Sequence, residues 1–230
     1  MEGRIREYRD KDEKLIIALL DLTVQKLRSN DVQHFPYVLS FTSEKDQLSQ
    51  WRGYGKFGQG VSVGFVFDYS TWRVADNQEN HLATGLYRCL YCENKQNLLF
   101  QAIMDAQLKV LAKQRAEEWK RHLDEWADWL VNHLVRTFPY IKCPAFQEEN
   151  EVRLAVAPEK MCWERKFKVS NGILVPYIEI HEENVRLPIT RVVVGPSAKQ
   201  ELIVGGVRRL LDAHEYNKVP VERSAVPFRG

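Results

Sequence analysis

Phe167-Lys168-Val169-Ser170-Asn171-Gly172-Ile173-Leu174-Val175, residues 167–175, sets two short apolar segments on either side of an Asn-Gly pair. Asn-Gly accepts the positive φ angles of a tight two-residue turn at little cost, so the stretch predicts a β-hairpin. A hairpin commits its neighbourhood to antiparallel pairing and weighs against a doubly wound parallel sheet.

Working outward, Val152, Leu154 and Val156 alternate with Glu151, Arg153 and Ala155, as in a strand with one face on a core. Downstream, residues 191–194 form a strand closed by Gly195-Pro196-Ser197, followed by a helix over about 198–213 and a last strand near 219–222. Towards the N-terminus, Asp10 with Glu13 has the form of a capping box, and Leu15, Leu19, Leu22 and Leu27 keep helical spacing up to Ser29-Asn30-Asp31. Tyr37, Leu39 and Phe41 then alternate with Val38, Ser40 and Thr42, a strand bearing hydroxyls on the face opposite its large apolar groups. Ser43 and Asp46 read as caps of a short helix ending near Trp51-Arg52.

Residues 60–68 are β-branched and aromatic and read as a central strand, and residues 86–91 as a shorter one. Residues 94–137 contain neither Gly nor Pro and read as helix, with Leu99, Ile103, Ala106 and Val110 on one apolar stripe and Trp119, Leu123, Trp126 and Leu130 on another. Strands joined by hairpins with helices between them give the α+β class: mostly antiparallel sheets with flanking helices. Residues 1–230 read as a single domain with a helical insertion at about 94–137.

With 44% hydrophobic and 28% charged residues, the chain has a globular balance. Its net charge of +2 provides no strong field for nucleic acid or an anionic membrane. No apolar run reaches the ~20 residues needed to span a bilayer, and Met1-Glu2-Gly3-Arg4 opens without the apolar core of a signal peptide. The expectation is a cytoplasmic protein, with Cys89, Cys92, Cys143 and Cys162 as reduced thiols.

Three short motifs are explained without chemistry. Gly53-Tyr54-Gly55-Lys56-Phe57-Gly58 has the glycine spacing of a dinucleotide loop, but a strand follows where the fingerprint requires a helix, so it reads as a loop. Cys89-x-x-Cys92 is half a zinc site set in a strand that would send the two thiols to opposite faces, so no metal is expected there. Glu164-x-Lys166 suits a solvated charged strand face. Read with Glu149 and Glu151, it also supplies the acids of a metal-dependent nuclease.

The densest polar stretch is Gln147 to Arg153. Read as a strand, it puts Gln147, Glu149, Glu151 and Arg153 on one face. Two neighbouring carboxylates resist joint ionisation unless a cation such as Arg153 compensates, which separates the roles of two acids. A solvated edge with Glu–Arg pairing fits the same pattern.

Several landmarks occur in order: Ser40-Phe41-Thr42, residues 48–55 (LSQWRGYG), residues 60–65 (GVSVGF), residues 146–153 (FQEENEVR), residues 194–197 (VGPS) and residues 224–229 (SAVPFR). Together they resemble the bacterial family labelled domain of unknown function 2971, which in turn resembles ADP-ribosyltransferases. That resemblance implies an ADP-ribosyltransferase-like fold and NAD as substrate. The acceptor would be an unknown protein, a nucleic acid or water, and no metal is implied. Residue by residue, it places Ser40 and Thr42 on a hydroxyl strand, Glu149 at the accessory position and Glu151 at the catalytic position. Trp51, Arg52, Tyr54 and Arg153 join the binding residues. Family members open with a His-bearing aromatic strand and an Asn-Asp segment, and this chain begins past both; the expectation is a truncated version, a substitute such as His34 or another residue, or a protein that no longer catalyses. A non-catalytic binding or regulatory domain is the alternative that this departure favours.

Overall fold

A computed structural model describes residues 2–29, 36–55, 60–66, 83–111, 120–157, 165–179 and 186–227. In chain order the elements are α1 (Glu2–Arg28), β1 (Tyr37–Thr42), α2 (Leu48–Tyr54), β2 (Val61–Phe65), β3 (Ala83–Arg88), α3 (Glu93–Leu111), α4 (Leu123–Thr137), β4 (Glu151–Ala157), β5 (Lys166–Ser170), β6 (Ile173–Tyr177), β7 (Ile189–Val194), α5 (Gln200–Ala213) and β8 (Val221–Arg223). Two 3-10 turns, Phe138–Tyr140 and Pro144–Glu149, precede β4. The class is α+β, as the sequence implies. The chain forms two compact units: Met1–Leu39, Leu82–Ala145 and Arg153–Glu164 make the first, and Ser40–His81, Phe146–Val152 and Arg165–Gly230 the second.

In the first unit α1 packs on α4. Leu19 and Ala127 are sealed from solvent, with Leu15, Ile16, Leu22, Leu108, Leu123 and Trp126 packed round them. Lys26 Nζ reaches Asp128 at 2.6 Å and Asp124 at 3.0 Å, clipping the end of α1 to the start of α4. Helix α1 begins at Glu2, so Asp10 and Glu13 lie inside it and form no capping box.

Among the described residues, the stretch without Gly or Pro holds α3 and α4; its first stripe stands at Leu99 and Ile103, both half-buried, and is corrected beyond them. Ala106 and Val110 are exposed, and the sealed residue of α3 is Gln107, 1% exposed. Among the described residues, neither its amide nitrogen nor its amide oxygen has a hydrogen-bond partner. Apolar spacing cannot announce a buried amide, so the buried face passes through Gln107 rather than Ala106.

The sheet order is β1-β4-β3. With β4 in the middle, Ala155 is as buried as Leu154 and Val156, so the expected outward face of this strand is closed in the first unit. β3 ends at Arg88, earlier than the expected residue 91, and Leu90 makes only a lone bridge to Ile141. Gln96 Nε2 holds that junction by donating to the carbonyls of Leu90 (2.6 Å) and Lys142 (2.9 Å).

In the second unit the order is β2-β7-β8. β7 runs antiparallel to β2 from Val61↔Val194 to Phe65↔Ile189 and parallel to β8, with α5 as the crossover between β7 and β8. A run of Val192, Val193 and Val194, all nearly sealed, marks a strand covered on both faces. Val192, Leu211 and Val219 form the core there, flanked by Ile189, Val207, Tyr216 and Val221. Arg208 closes the turn after α5 by donating to the carbonyls of Val219 (2.6 Å) and Tyr216 (2.8 Å).

β5 and β6 form the expected hairpin. Ser170 pairs with Ile173, and Asn171 (φ 52) and Gly172 (φ 78) both take the left-handed conformation that the Asn-Gly pair tolerates. Among the described residues, the three-stranded sheets take their other neighbours from distant parts of the sequence, so hairpins contribute less than expected.

Leu130, 0% exposed, and Leu202, 74% exposed, provide a test of this packing. Leu130→Ala should cost about 2–5 kcal/mol of unfolding free energy, against no more than about 0.5 for Leu202→Ala, in urea titrations followed by circular dichroism. Equal midpoints for the two variants would contradict the core assigned to α4.

Candidate functional site

The polar stretch before Arg153 is not one strand. Pro144 opens a 3-10 turn that runs to Glu149, Asn150 is left-handed at φ 45, and β4 starts only at Glu151. The alternation that would put Gln147 and Glu149 on one face with Glu151 and Arg153 is therefore broken at Asn150. Glu149 is half-buried, whereas Glu151 is buried at 7% exposure. Arg153 belongs to the first unit, where its Nη1 donates to the Pro139 carbonyl at 2.5 Å.

What the second unit does bring together is the end of β1 and the turn before β4. Thr42 Oγ1 donates to the Glu149 carbonyl at 2.9 Å and accepts the Glu44 N–H at 3.1 Å. Ser43 N–H donates to the Asn150 carbonyl at 3.2 Å, and Gln47 Nε2 to the Glu148 carbonyl at 2.7 Å. The hydroxyl strand and the glutamate segment are thus stitched to each other by polar contacts.

Beside this seam lies a cleft of about 180 Å³ whose lining includes Thr42, Lys45, Gln47, Trp51, Tyr54 and Ser62. Trp51 is 6% exposed and Tyr54 73% exposed, and both line the cleft. Ser40 and Arg52 are exposed and do not line it, and neither Glu149 nor Glu151 is among the lining residues.

The residue that sequence reasoning misassigned is Asp46. The N-cap of α2 is Gln47, with no side-chain capping bond, so Asp46 and Ser43 do not cap this helix. The Asp46 carboxylate instead accepts the Trp51 Nε1–H at 2.7 Å and the Ser224 hydroxyl at 2.6 Å on Oδ1, and the Ala225 N–H at 2.7 Å on Oδ2. Burial alone would push this carboxyl up. The donors Ser224, Trp51 and Ala225, with the Lys45 cation nearby, outweigh burial and hold it below its ordinary value. An acid just ahead of a short helix has the same sequence signature whether it caps that helix or binds a distant segment.

The opposite edge of Trp51 meets Gly195. A Cβ there would stand 2.9 Å from the ring and 3.0 Å from the Gly60 carbonyl, which also accepts the Gly195 N–H at 3.0 Å. Ser224 N–H donates to the Val194 carbonyl at 2.8 Å. Five of the stretches singled out in the sequence, at 40–42, 48–55, 60–65, 194–197 and 224–229, therefore contribute to this unit, as does 146–152 of the sixth.

Among the described residues no group of three or more His, Cys, Asp or Glu is placed to hold a metal ion. Glu164, Cys162, His34 and residues 56–59 lie outside the described residues, so the nuclease set and the glycine loop are not placed. Cys89 is buried and lies past the end of β3, and Cys92 is exposed. No helix among the described residues is long and apolar enough to cross a membrane.

Residues 50–154 match the model of a family described as "Protein of unknown function (DUF2971)". The match includes Trp51, Tyr54, Glu149 and Glu151, and leaves Thr42, Asp46, Gly195 and Ser224 outside it. No curated protein and no solved structure matches the chain.

Asp46→Ala would strand three donors and should cost about 1–3 kcal/mol at neutral pH. Because the folded carboxyl titrates below its ordinary 3.8, this stabilisation is complete above that pH and is lost as pH falls through the lower folded value. Urea titrations of wild type and Asp46→Ala should differ at neutral pH and converge in acid. Indistinguishable stability at neutral pH would remove Asp46 from this role.

Proposed function

We propose, from the premise that the chain belongs to the DUF2971 family over residues 50–154, that it is an ADP-ribosyltransferase-like protein acting on NAD. The observation that carries this reading is the bond from Thr42 Oγ1 to the Glu149 carbonyl, 2.9 Å, which joins the hydroxyl strand to the glutamate segment beside an aromatic-walled cleft. These are the segments that such chemistry requires side by side.

In this reading Trp51 and Tyr54 offer aromatic faces to the rings of the dinucleotide, and Lys45 supplies a cation for its phosphates. Glu151 accepts a hydrogen bond from a hydroxyl of the nicotinamide ribose. As the bond between the ribose carbon and the nicotinamide nitrogen breaks, its negative charge stabilises the positive charge that builds on the sugar. Nicotinamide leaves with the bonding electron pair, and an acceptor hydroxyl, amine or water attacks the same carbon and gives up a proton. Glu149 orients that acceptor or takes the proton.

Binding without turnover is a second reading, favoured by one observation: Glu151 is 7% exposed and does not line the cleft. There the carboxylate serves the strand and the cleft serves a ligand.

Calorimetric NAD titration and nicotinamide release separate the two. The transferase reading expects Glu151→Gln to reduce nicotinamide release by about 100-fold or more, with NAD affinity nearly unchanged, because the lost charge acts on the transition state. NAD binding without release by the wild type would leave the binding reading, and no NAD binding at all would remove both forms of the nucleotide assignment.

A further inference from the structure

Two consecutive residues at the cleft, Lys45 and Asp46, are each held by the chain's C-terminal stretch. Lys45 lines the cleft, and its Nζ lies 2.9 Å from Glu222 Oε2 on β8. Asp46, which does not line it, accepts the Ser224 hydroxyl at 2.6 Å and the Ala225 N–H at 2.7 Å. The same carboxylate holds the indole N–H of Trp51, the cleft's aromatic wall.

We infer that Asp46 is a positioning residue: through it, Ser224 and Ala225, which do not touch the cleft, set the orientation of Trp51 and hence ligand binding. The inference rests on the nucleotide reading for the identity of the ligand, and on the geometry alone for the coupling.

The geometry gives the contact a direction. Ser224 Oγ donates to Asp46 and accepts the Val226 N–H at 3.1 Å, so both functions of the hydroxyl are committed. Ser224 N–H is fixed on Val194 at 2.8 Å, so β7 anchors the segment that reaches Asp46. At the other edge of the indole lies Gly195, which follows Val194 directly and where the ring leaves no room for a side chain. Trp51 is therefore held at its N–H edge through Ser224 and Asp46, and at its benzo edge by the residue next to Ser224's own anchor. Glu222 adds a parallel contact to the cleft's cation.

A ring fixed in this way does not have to be ordered when a ligand arrives at the cleft that Trp51 lines. Release of the N–H edge leaves the wall present but no longer pre-set, which weakens binding and leaves the reacting carboxylate untouched.

The test uses the full chain with NAD as the probe, in Asp46→Asn, Ser224→Ala and Ser224→Thr. Loss of one such hydrogen bond corresponds to about tenfold in affinity. Ser224→Ala and Asp46→Asn should raise the Kd and KM for NAD by about that factor, with kcat for nicotinamide release nearly unchanged, and Ser224→Thr should restore wild-type values. The fluorescence of Trp51, isolated by subtracting the spectrum of the matching Trp51→Phe protein, should shift in Ser224→Ala without ligand. An unchanged Trp51 spectrum and unchanged Kd in folded Ser224→Ala would overturn the inference, as would a fall in kcat at constant KM. If the wild type binds no NAD, the nucleotide reading fails by itself. Amide exchange over residues 47–55 in Ser224→Ala then decides the coupling: faster exchange supports it, and unchanged exchange overturns it.

Discussion

The Asp46 carboxylate holds α2, the Trp51 indole and the segment after β8 in one arrangement. A carboxylate withdrawn from water is costly unless donors replace its hydration, and here three protein donors do so. Each comes from a group whose own geometry is restricted: a ring edge, a hydroxyl already committed to Val226, and a backbone amide. Other features of this unit follow from that arrangement. Residue 195 is glycine because the indole and the Gly60 carbonyl occupy the space of a side chain, and Gly55 is glycine because a Cβ would stand 2.6 Å from the Trp51 carbonyl.

Where a rule needs only neighbouring residues, the sequence was readable. Asn171-Gly172 sets its own backbone angles, and β1 is recovered at Tyr37–Thr42, although its burial does not alternate as its letters do, Val38, Leu39 and Ser40 all being exposed. The misreadings share a physical origin. The alternation of Gln147, Glu149, Glu151 and Arg153 is intact as letters, but one left-handed residue, Asn150, breaks the period. Asp46 looks like a cap because its true partners, Ser224 and Ala225, are 178 and 179 positions away. Gln107 was invisible as a core residue because hydrophobic periodicity assigns amides to the surface.

The candidate site shows the same division. Thr42, Trp51 and Tyr54 do line one cleft, and Thr42 touches the glutamate segment. Ser40 and Arg52 do not line it, although each sits within two residues of one that does. The stretch matching the family, residues 50–154, supplies Trp51, Tyr54 and Ser62 to the lining, while Thr42, Lys45 and Gln47 come from before it and the Ser224 contact from beyond it. A fragment cut to the matched residues would keep the aromatic wall and lose the carboxylate and hydroxyl that orient it.

Glu151 is where structure and chemistry constrain each other most. At 7% exposure its carboxylate has given up most of its water, and such a group is tolerated when hydrogen bonds replace that loss. A strand residue serving only stability gains little from a carboxylate there, since an apolar side chain of similar size avoids the desolvation cost. Here the acid stands at the first position of β4, directly after the left-handed Asn150 and the turn bonded to Thr42, and it is engaged rather than free. In the transferase reading a ligand has to reach this carboxylate, which does not line the cleft, whereas in the binding reading it does not.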